Sequence, residues 1–340
     1  RRSRKDPTEP LVLLEIWTLT VYSFAVQFWV CPVDVARLSL PWLIPGFIGL
    51  TLLWRKGWQL IARRMKLGKV LPMFILIYAL AASAEAEEKS RYHLFNPVPQ
   101  EKLRELSTDR PDKTESPFSV DAGRFQVETD LISFFTEAKR TTFLLNNMNA
   151  KVGITSSIDL QMIFETFKIQ NLDENDSKST RRGIGDTTLR VKYNLVGNDE
   201  GEFGFGLMPF VKLPTASRDL GNRKFEGGLA LPFSQELGLN FDLGWMIQWN
   251  YQKNEQSSEY HNRYASMAAL SREIGIKDLS MYLEFFNQFS EGPGSSWLVT
   301  ADGGFTYLFS PNLQFDIGAN IGITAPADDL NLFSGVSFRL

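Results

Sequence analysis

Apolar and polar positions alternate with a period of two from Gly123 to the last residue. Between Leu239 and Tyr251, large apolar side chains occupy every second position, and Asp242, Gln248 and Asn250 lie between them. A strand places successive side chains on opposite faces, whereas a helix would give apolar spacings of three and four. The pattern therefore predicts strands that have one apolar face and one polar face.

The alternation predicts twelve strands. They cover residues 123–135, 142–155, 158–168, 186–196, 203–213, 225–236, 239–252, 262–275, 279–289, 297–309, 312–324 and 330–340. Short turns such as Ser156-Ser157 and Ser310-Pro311 alternate with longer linkers such as residues 169–185. An even number of long strands, with short turns on one side and long loops on the other, is typical of outer-membrane barrels. We therefore predict an all-β fold, a single antiparallel up-and-down transmembrane β-barrel of about 12 strands.

Two soluble folds compete with this prediction. Strands of a soluble sandwich usually have ~5 to 6 residues, fewer than these segments contain. A lipocalin-like cup would turn the apolar faces inward, but about eight strands already enclose what side chains can fill. Aromatic residues also lie near strand ends on the apolar face, as interfacial girdles do. These residues are Trp249, Tyr251, Trp297, Tyr307, Phe309 and Phe338.

With the apolar faces toward lipid, the polar faces line a lumen. The predicted lumen residues are Asp159, Gln161, Glu165, Arg190, Lys192, Lys212, Glu226, Glu236, Asp242, Gln248, Glu284, Asp302, Asp316 and Arg339. Acidic residues outnumber basic ones in this set, so a water-filled lumen would favour cations over anions. The alternative is a ladder of paired charges that stiffens a closed barrel and conducts nothing.

Residues 65–86 have the features of a secretory signal peptide. Lys66 and Lys69 precede an apolar run over residues 70–82, and small residues at Ala84 and Ala86 offer cleavage sites. The run is shorter than the ~20 apolar residues that a membrane-spanning helix needs. We expect cleavage here, a periplasmic lead-in or plug segment over residues 87–122, and the barrel over residues 123–340.

Residues 1–64 contain two apolar runs and precede the predicted signal peptide. One interpretation is one or two membrane helices with basic ends. The favoured interpretation is that translation starts at Met65 and that the upstream stretch is an over-extended reading frame. Residues 1–64 are therefore predicted to be absent from the mature protein.

Charge and cysteine usage exclude several functions. Of 36 basic and 39 acidic residues, 25 basic and 34 acidic ones follow Ala86, so that part has a formal charge of −9. This acidity argues against a nucleic-acid partner. The only cysteine is Cys31, so the part after Ala86 has neither disulfides nor zinc–cysteine sites.

Residues 107–131 read STDRPDKTESPFSVDAGRFQVETDL, with a TDRPD-TESP core before the first strand. Together with PFVKLPTA at residues 209–216 and EGGLALPFS at residues 226–234, this resembles the outer-membrane family named for the MetA pathway of phenol degradation. The resemblance implies a signal peptide, a single barrel and passage of small organic compounds. Its signature residues here are Thr108, Asp109, Arg110, Pro111, Asp112, Thr114, Glu115, Ser116 and Pro117.

Two interpretations of the signature stay open: a plug or rim segment without substrate contact, or a segment that takes part in passage. Asp109, Arg110, Asp112 and Glu115 are candidates for an ion-pair network at the barrel mouth, where exposed pairs contribute ~0 to 1 kcal/mol each. The last strand also resembles the C-terminal recognition strand that the barrel assembly machinery reads. Its final residue is Leu340 where Phe is most common.

No zinc-protease helix, phosphate loop or dinucleotide fingerprint occurs in the sequence. We expect no catalytic residues, metal or cofactor. The favoured function is passive passage of small organic molecules, with hydrophobic and aromatic ones as candidates, across a Gram-negative outer membrane. The partners expected are lipid, the assembly machinery and the solute.

Two alternative functions remain. One is a phospholipase-like barrel enzyme, for which His261, Ser257, Ser258 and Asn262 supply suitable residue types. The other is a structural or adhesive barrel that acts through its external loops, such as residues 169–185.

Overall fold

The structure, a computed structural model, describes residues 91–340 except 138–139, 175–176, 200, 219, 254–258 and 292–294. The predicted signal peptide and the upstream stretch lie outside these residues. Within the described part, the strands are β1 (Phe125–Glu137), β2 (Arg140–Gly153), β3 (Ile158–Glu174), β4 (Ser177–Gly183), β5 (Thr187–Val196), β6 (Phe203–Leu213), β7 (Glu226–Leu237), β8 (Phe241–Lys253), β9 (Tyr260–Glu273), β10 (Leu279–Ser290), β11 (Trp297–Ser310), β12 (Leu313–Gly322) and β13 (Leu330–Arg339). Two short 3₁₀ turns cover Gln100–Lys102 and Gly238–Asn240. None of the described helical turns is long and apolar enough to span a membrane.

Twelve of the described strands form a closed antiparallel ring. Each strand pairs with its neighbour along the chain, β3 pairs with β5 across β4, and β1 closes the ring by pairing with β13. The prediction of a single up-and-down barrel of about 12 strands is confirmed. Closure leaves no free sheet edge in the ring, which is what a strand-built membrane protein requires.

One further strand, β4, lies outside the ring, in a segment that the sequence predicted to be a loop. The first half of β3, from Ile158 to Phe164, pairs with β5, and its second half, from Lys168 to Glu174, pairs with β4. The β3–β4 hairpin therefore extends the sheet beyond the ring at the end where the long loops lie. Its residues are mostly polar and exposed, so backbone pairing without an apolar face forms it, and alternation could not reveal it.

The two ends of the barrel differ as predicted. Short turns join β7 to β8 and β11 to β12, and both chain ends of the barrel lie on this side. The connections after β6, β8 and β12 are longer and lie at the opposite end, where the β3–β4 hairpin also lies. The β1–β2 connection is an exception on that side, because Glu137 already pairs with Arg140.

Burial is inverted relative to a soluble protein. In β5, the side chains of Arg190, Lys192 and Asn194 are buried, whereas Leu189 and Val191 on the other face are exposed. Trp249 in β8 is 42% exposed and Ile317 in β12 is 59% exposed, whereas Lys192 is 1% exposed. An apolar outer surface is stable only against lipid, so the barrel spans a membrane and is not a water-soluble cup.

Candidate passage and its plug

Residues 104–122, which we call the plug, run through the inside of the barrel. Their side chains contact inward-facing residues on opposite sides of the ring, among them Lys151 in β2 and Asp302 in β11. A segment that reaches both sides of a closed ring through its inner face lies in the lumen. The family-signature residues 108–117 form the middle of the plug.

Asp109 is a buried charge of the plug on which two lysines converge. Its carboxylate accepts hydrogen bonds from Nζ of Lys192 at 2.5 Å and from Nζ of Lys151 at 2.6 Å. Lys151 also pairs with Glu128, whose carboxylate accepts a hydrogen bond from the Asp109 backbone N–H at 3.0 Å. Burial alone would raise the pKa of Asp109, but Lys151, Lys192 and Arg190 lower it well below its ordinary value. Asp109 is therefore a charged anchor for β2 and β5.

Arg110 anchors the plug at the seam where the barrel closes. Its guanidinium donates to Asp316 in β12 at 2.6 and 3.1 Å and to Asp130 in β1. Gly335 of β13 lies between these strands, and a Cβ at this position would collide with the guanidinium. One plug side chain thus bridges the first strand and the last two strands of the ring.

Residues 113 and 114 fix the plug to β10 and β11. The Lys113 backbone N–H donates to Glu284 at 2.9 Å, and its Nζ donates to Asp302 at 2.8 Å. The Thr114 hydroxyl donates to the other Glu284 oxygen at 2.6 Å. Nζ of Lys113 also lies 4.6 Å from the centre of the Phe286 ring, a cation–π distance.

Two plug carboxyls are harder to ionise. Burial, together with the nearby carboxylate of Glu284, raises the pKa of Asp112 well above its ordinary value. Burial also raises the pKa of Glu115 to about 7, although Arg190 opposes the shift by donating to both carboxylate oxygens. The middle of the plug therefore contains one carboxyl, Glu115, whose charge changes near neutral pH.

Ion pairs and hydrogen bonds also hold the end of the plug next to β1. Asp121 accepts hydrogen bonds from Nε of Arg104 at 2.7 Å and from Nη1 of Arg339 at 3.0 Å. The Val120 backbone N–H donates to Asp159 at 2.9 Å. We expected the signature charges to pair with one another at an exposed barrel mouth, and this prediction was wrong. Asp109, Arg110 and Glu115 instead pair with strand side chains inside the barrel.

The other predicted lumen residues lie on the same inner face but have different neighbours. Gln161 accepts a hydrogen bond from Arg190. Toward the long loops, Lys212 pairs with Asp186 and Glu226, Glu165 pairs with Lys168, and Gln248 donates to Asn250. Asp242 and Glu236 border a cavity near the short turns.

Three inner residues with a central place in the network are absent from the predicted set: Glu128 and Asp130 in β1, and Lys151 in β2. All three are at least 90% buried. The alternation in FQVETD at residues 125–130 and in AKV at residues 150–152 carries the signal that would have found them.

One side of the inner wall is apolar. Met208, Ala230, Met246, Ala265 and Met267 on β6–β9 form a buried cluster against which Phe286 packs, and we call these six residues the methionine wall. Met246 and Met267 are register partners on β8 and β9. The plug faces this side through packing: the Thr114 methyl lies 3.2 Å from where a Cβ on Gly244 would be.

A cavity of about 230 Å³ lies between the plug and β7–β9. The plug contributes Asp112, Thr114, Glu115, Pro117 and Phe118, and the wall contributes residues that include Gly244 and Ala269. Three further carboxylates, Glu202, Glu236 and Asp242, border it. An apolar cavity of ~150 Å³ is large enough to bind benzene, so this space can hold a single aromatic ring.

The residue types proposed for an enzyme do not come together in the described part. His261 and Asn262 are neighbours on β9, so their side chains point to opposite faces of the sheet. Asn262 accepts a hydrogen bond from Trp249 on the outer face. Ser257 and Ser258 lie outside the described residues. In the residues that are described, no group of three His, Cys, Asp or Glu side chains is placed to hold a metal ion.

Comparison with solved structures places the fold among outer-membrane barrels. The COG4313 outer membrane channel from Pseudomonas putida F1 superposes with a TM-score of 0.50 at 12% identity, covering 69% of this chain and 100% of that one. The NanC porin gives a TM-score of 0.45 at 10% identity, covering 64% of this chain and 100% of the porin. The CymD monoaromatic hydrocarbon channel gives 0.36 at 10% identity, covering 64% and 87%.

No curated protein sequence matches this chain. The family model described as "Putative MetA-pathway of phenol degradation" matches residues 108–340, which are the plug from its signature onward and the whole barrel. The membrane-facing outer surface of the ring agrees with the outer-membrane location of such barrels. This chain is therefore an outer-membrane β-barrel that belongs to the phenol-degradation MetA-pathway family.

Proposed function

We propose that this protein is a passive channel for small organic molecules across the outer membrane of a Gram-negative bacterium. The observation that carries the proposal is the lumen itself. A plug occupies it, fixed by ion pairs on the charged side of the barrel, and leaves a 230 Å³ cavity next to β7–β9, the part of the barrel that carries most of the methionine wall. The family membership and the CymD channel, which is named for monoaromatic hydrocarbons, support small aromatic solutes as candidates.

Charge around the cavity supports discrimination against anions. Most lumen charges are paired with the plug, but Glu202, Glu236 and Asp242 border the cavity without a basic residue among its lining. The sequence left two alternatives for the lumen, cation preference and a ladder of paired charges. In this proposal the paired charges hold the plug, and the cation preference belongs to the cavity. A reversal potential in planar bilayers that shows anion preference would contradict this assignment.

The test compares two probes that carry the same 4-nitrophenyl group and differ in charge. A porin-deficient host with an intact outer leaflet secretes an esterase and a phosphatase into its periplasm. Uncharged 4-nitrophenyl acetate and anionic 4-nitrophenyl phosphate then both report influx as released 4-nitrophenol. We expect the protein to raise acetate hydrolysis in intact cells and to leave phosphate hydrolysis at the rate of the host alone.

The controls separate transport from leakage. Lysed cells give the maximal rate of each enzyme, and a heat-modifiability gel shows that the barrel is folded. If acetate hydrolysis in intact cells does not rise although folded barrel is present, the proposed function is wrong. If both probes rise equally, the protein acts as a general leak.

The enzyme alternative receives no support from the geometry around His261. If outer-membrane phospholipase activity accompanied the protein and disappeared in His261→Ala, the channel proposal would need revision. The adhesive alternative concerns residues 169–185, which form most of the exposed β3–β4 hairpin. It would be favoured if trimming this hairpin abolished binding to a surface while solute influx persisted.

We also propose that export and insertion follow the sequence signals. Cleavage would remove the residues up to Ala84 or up to Ala86. The assembly machinery would read the C-terminal strand β13 and the residue after it, where Leu332 and Leu340 are exposed on the outer face. N-terminal sequencing of the folded band tests the first step, with Glu85 or Glu87 expected as the first residue. A band that starts at Arg1 would contradict it.

A further inference from the structure

The polar attachments of the plug are unevenly distributed around the ring. Its ion pairs and hydrogen bonds go to β1, β2, β3, β5 and β10–β13, through residues such as Lys151, Lys192, Asp316 and Arg339. Toward β6–β8, the described contacts are packing contacts, with Pro117 and Phe118 against glycines of β6 and Thr114 against Gly244.

The plug is therefore a poor candidate for the moving part. Residues 114–117 themselves bond to Glu284, Arg190 and Asn194, so lifting them toward the lumen axis would break several buried polar contacts. Separating a buried ion pair is strongly destabilising, because it leaves a buried charge without its partner. In the described residues, β6–β9 make no ion pair or side-chain hydrogen bond to the plug. The methionine side chains of these strands can therefore change rotamer without breaking a polar contact to the plug.

The cavity ends at the methionine wall. Along β8 the inward positions run Asp242, Gly244, Met246, and along β9 they run Ser271, Ala269, Met267. The first two positions named on each strand border the cavity. Met246 and Met267, the third positions, close it, because they are only 1% and 2% exposed. Successive inward positions are about 7 Å apart, so one layer of side chains separates the cavity from the next layer toward the long loops.

Methionine suits a closure that opens by side-chain motion. It is unbranched, has three rotatable bonds and adapts to ligands of different shape. Ile or Val at these positions would hold one packing more rigidly, because β-branched side chains are stiff at χ1. A closed methionine layer also excludes water, and a polar solute that enters it loses its hydrogen bonds without replacement.

We propose that solutes pass along the β6–β9 wall beside a fixed plug, and that Met246 and Met267 are the selectivity gate for uncharged, weakly polar organic molecules. The proposal rests on the proposed function and assigns its selectivity to two residues. The acidic cavity on the short-turn side rejects anions, and the methionine layer rejects neutral solutes that are strongly polar.

The first test fills the cavity. Ala269→Phe points a ring into the existing space next to Met267, so the barrel has room for it. The matched control is Ala268→Phe, which places the same ring on the outer face of the same strand. We expect Ala269→Phe to reduce 4-nitrophenyl acetate influx to the rate of the host alone and Ala268→Phe to retain the wild-type rate.

The second test opens the gate. Met246→Ala combined with Met267→Ala removes both side chains, and the control Met162→Ala alters an outward-facing methionine that is 44% exposed. The probe is 4-nitrophenyl glucoside, neutral but strongly polar, read by a periplasmic glucosidase. We expect wild type and control to exclude it and the double variant to admit it, with acetate influx at least as fast as in wild type.

The outcomes separate this inference from the proposed function. If wild type does not raise acetate influx, the proposed function fails first. If wild type raises it but folded Ala269→Phe conducts equally well, or the folded double variant still excludes the glucoside, the inference alone is wrong. A heat-modifiability gel establishes folding for each variant.

Discussion

Asp109 determines how firmly the plug is held, because two buried lysines converge on it. Lys192 and Lys151 are 1% and 3% exposed, and both side chains donate to the Asp109 carboxylate. Without that carboxylate, two buried ammonium groups would keep only Glu128, which pairs with Lys151, and the nearby Asp159. A charge left uncompensated in a buried site costs far more free energy than the loss of an exposed ion pair.

Asp109→Ala should therefore lower the free energy of unfolding by roughly 3 to 5 kcal/mol. Urea unfolding of the barrel in detergent micelles measures this change. The matched control is Asp173→Ala, which breaks a 3.6 Å pair with Lys178 on the exposed hairpin, where both side chains are more than half exposed. The control should change stability by no more than ~0.5 kcal/mol. Equal effects of the two substitutions would show that Asp109 is not a buried anchor.

Glu115 gives the plug a pH dependence with a definite sign. Folding raises its pKa from 4.5 to about 7, so between these values the folded protein binds more protons than the unfolded chain. The contribution of this group to stability is then full below pH 4.5 and decreases as pH rises toward 7. The slope is at most about 1.4 kcal/mol per pH unit.

Glu115→Gln removes the titration while keeping the shape of the side chain. Between pH 5 and pH 7, wild type should lose more stability than the variant, as measured by urea midpoints at the two pH values. If the variant shows the same or a larger loss over this range, the pKa of Glu115 is not raised in the folded protein.

The inner charges show how much a single residue's place could be predicted. Arg190, Lys192, Glu284, Asp302, Asp316 and Arg339 were expected on the polar face, and their side chains bind the plug. Alternation assigns a side chain to a face but gives no partner, because pairs such as Arg110 and Asp316 lie 206 positions apart. The pairing depends on where the plug runs, and its sequence has no period from which a path could be read.

The β3–β4 hairpin is an addition to the barrel. β3 pairs with β5 only up to Phe164, and its second half pairs with β2 as far as Leu172 on one side and with β4 on the other. Its polar sequence lacks an apolar face, and this is why the twelve ring strands could be predicted with small boundary errors while β4 could not. The strongly periodic elements are those whose outer face meets lipid.

Replacing residues 173–178 by a short turn should leave the barrel intact, because the pairing of β3 with β2 ends at Leu172. Heat modifiability and 4-nitrophenyl acetate influx should both stay at wild-type levels, since the ring hydrogen bonds and the cavity lie elsewhere. A variant that loses heat modifiability would show that the hairpin is required for closure of the ring.

Unlike the β3–β4 hairpin, the plug is expected to be necessary for the selectivity of the barrel. Deleting residues 105–118 would open a wide lumen that water can fill, with both basic residues such as Lys192 and acidic ones such as Asp302 and Asp316 on its wall. A water-filled opening of this width no longer excludes small solutes by their charge. Anions should then pass, so 4-nitrophenyl phosphate influx should rise well above that of the host. Phosphate exclusion that persists in a folded barrel lacking the plug would mean that the loops, and not the plug, close the lumen.

The barrel reverses the usual arrangement of a soluble protein: its outer face is apolar and its inner face is charged, with one apolar strip on the inner wall. The sequence was sufficient for the barrel, its strand number and its inside and outside, because lipid imposes a strict alternation. It was insufficient for the methionine wall, because inward methionines at positions 208, 246 and 267 follow the same period as inward polar residues. Only the closed ring shows that they meet on one side of the lumen.

The most direct measurement is the rate of 4-nitrophenyl acetate hydrolysis in intact porin-deficient cells, as a function of the number of heat-modifiable copies of the protein. The rate should rise in proportion to folded copies, and 4-nitrophenyl phosphate hydrolysis should stay at the level of the host. An acetate rate independent of folded copies would contradict a channel for small organic molecules.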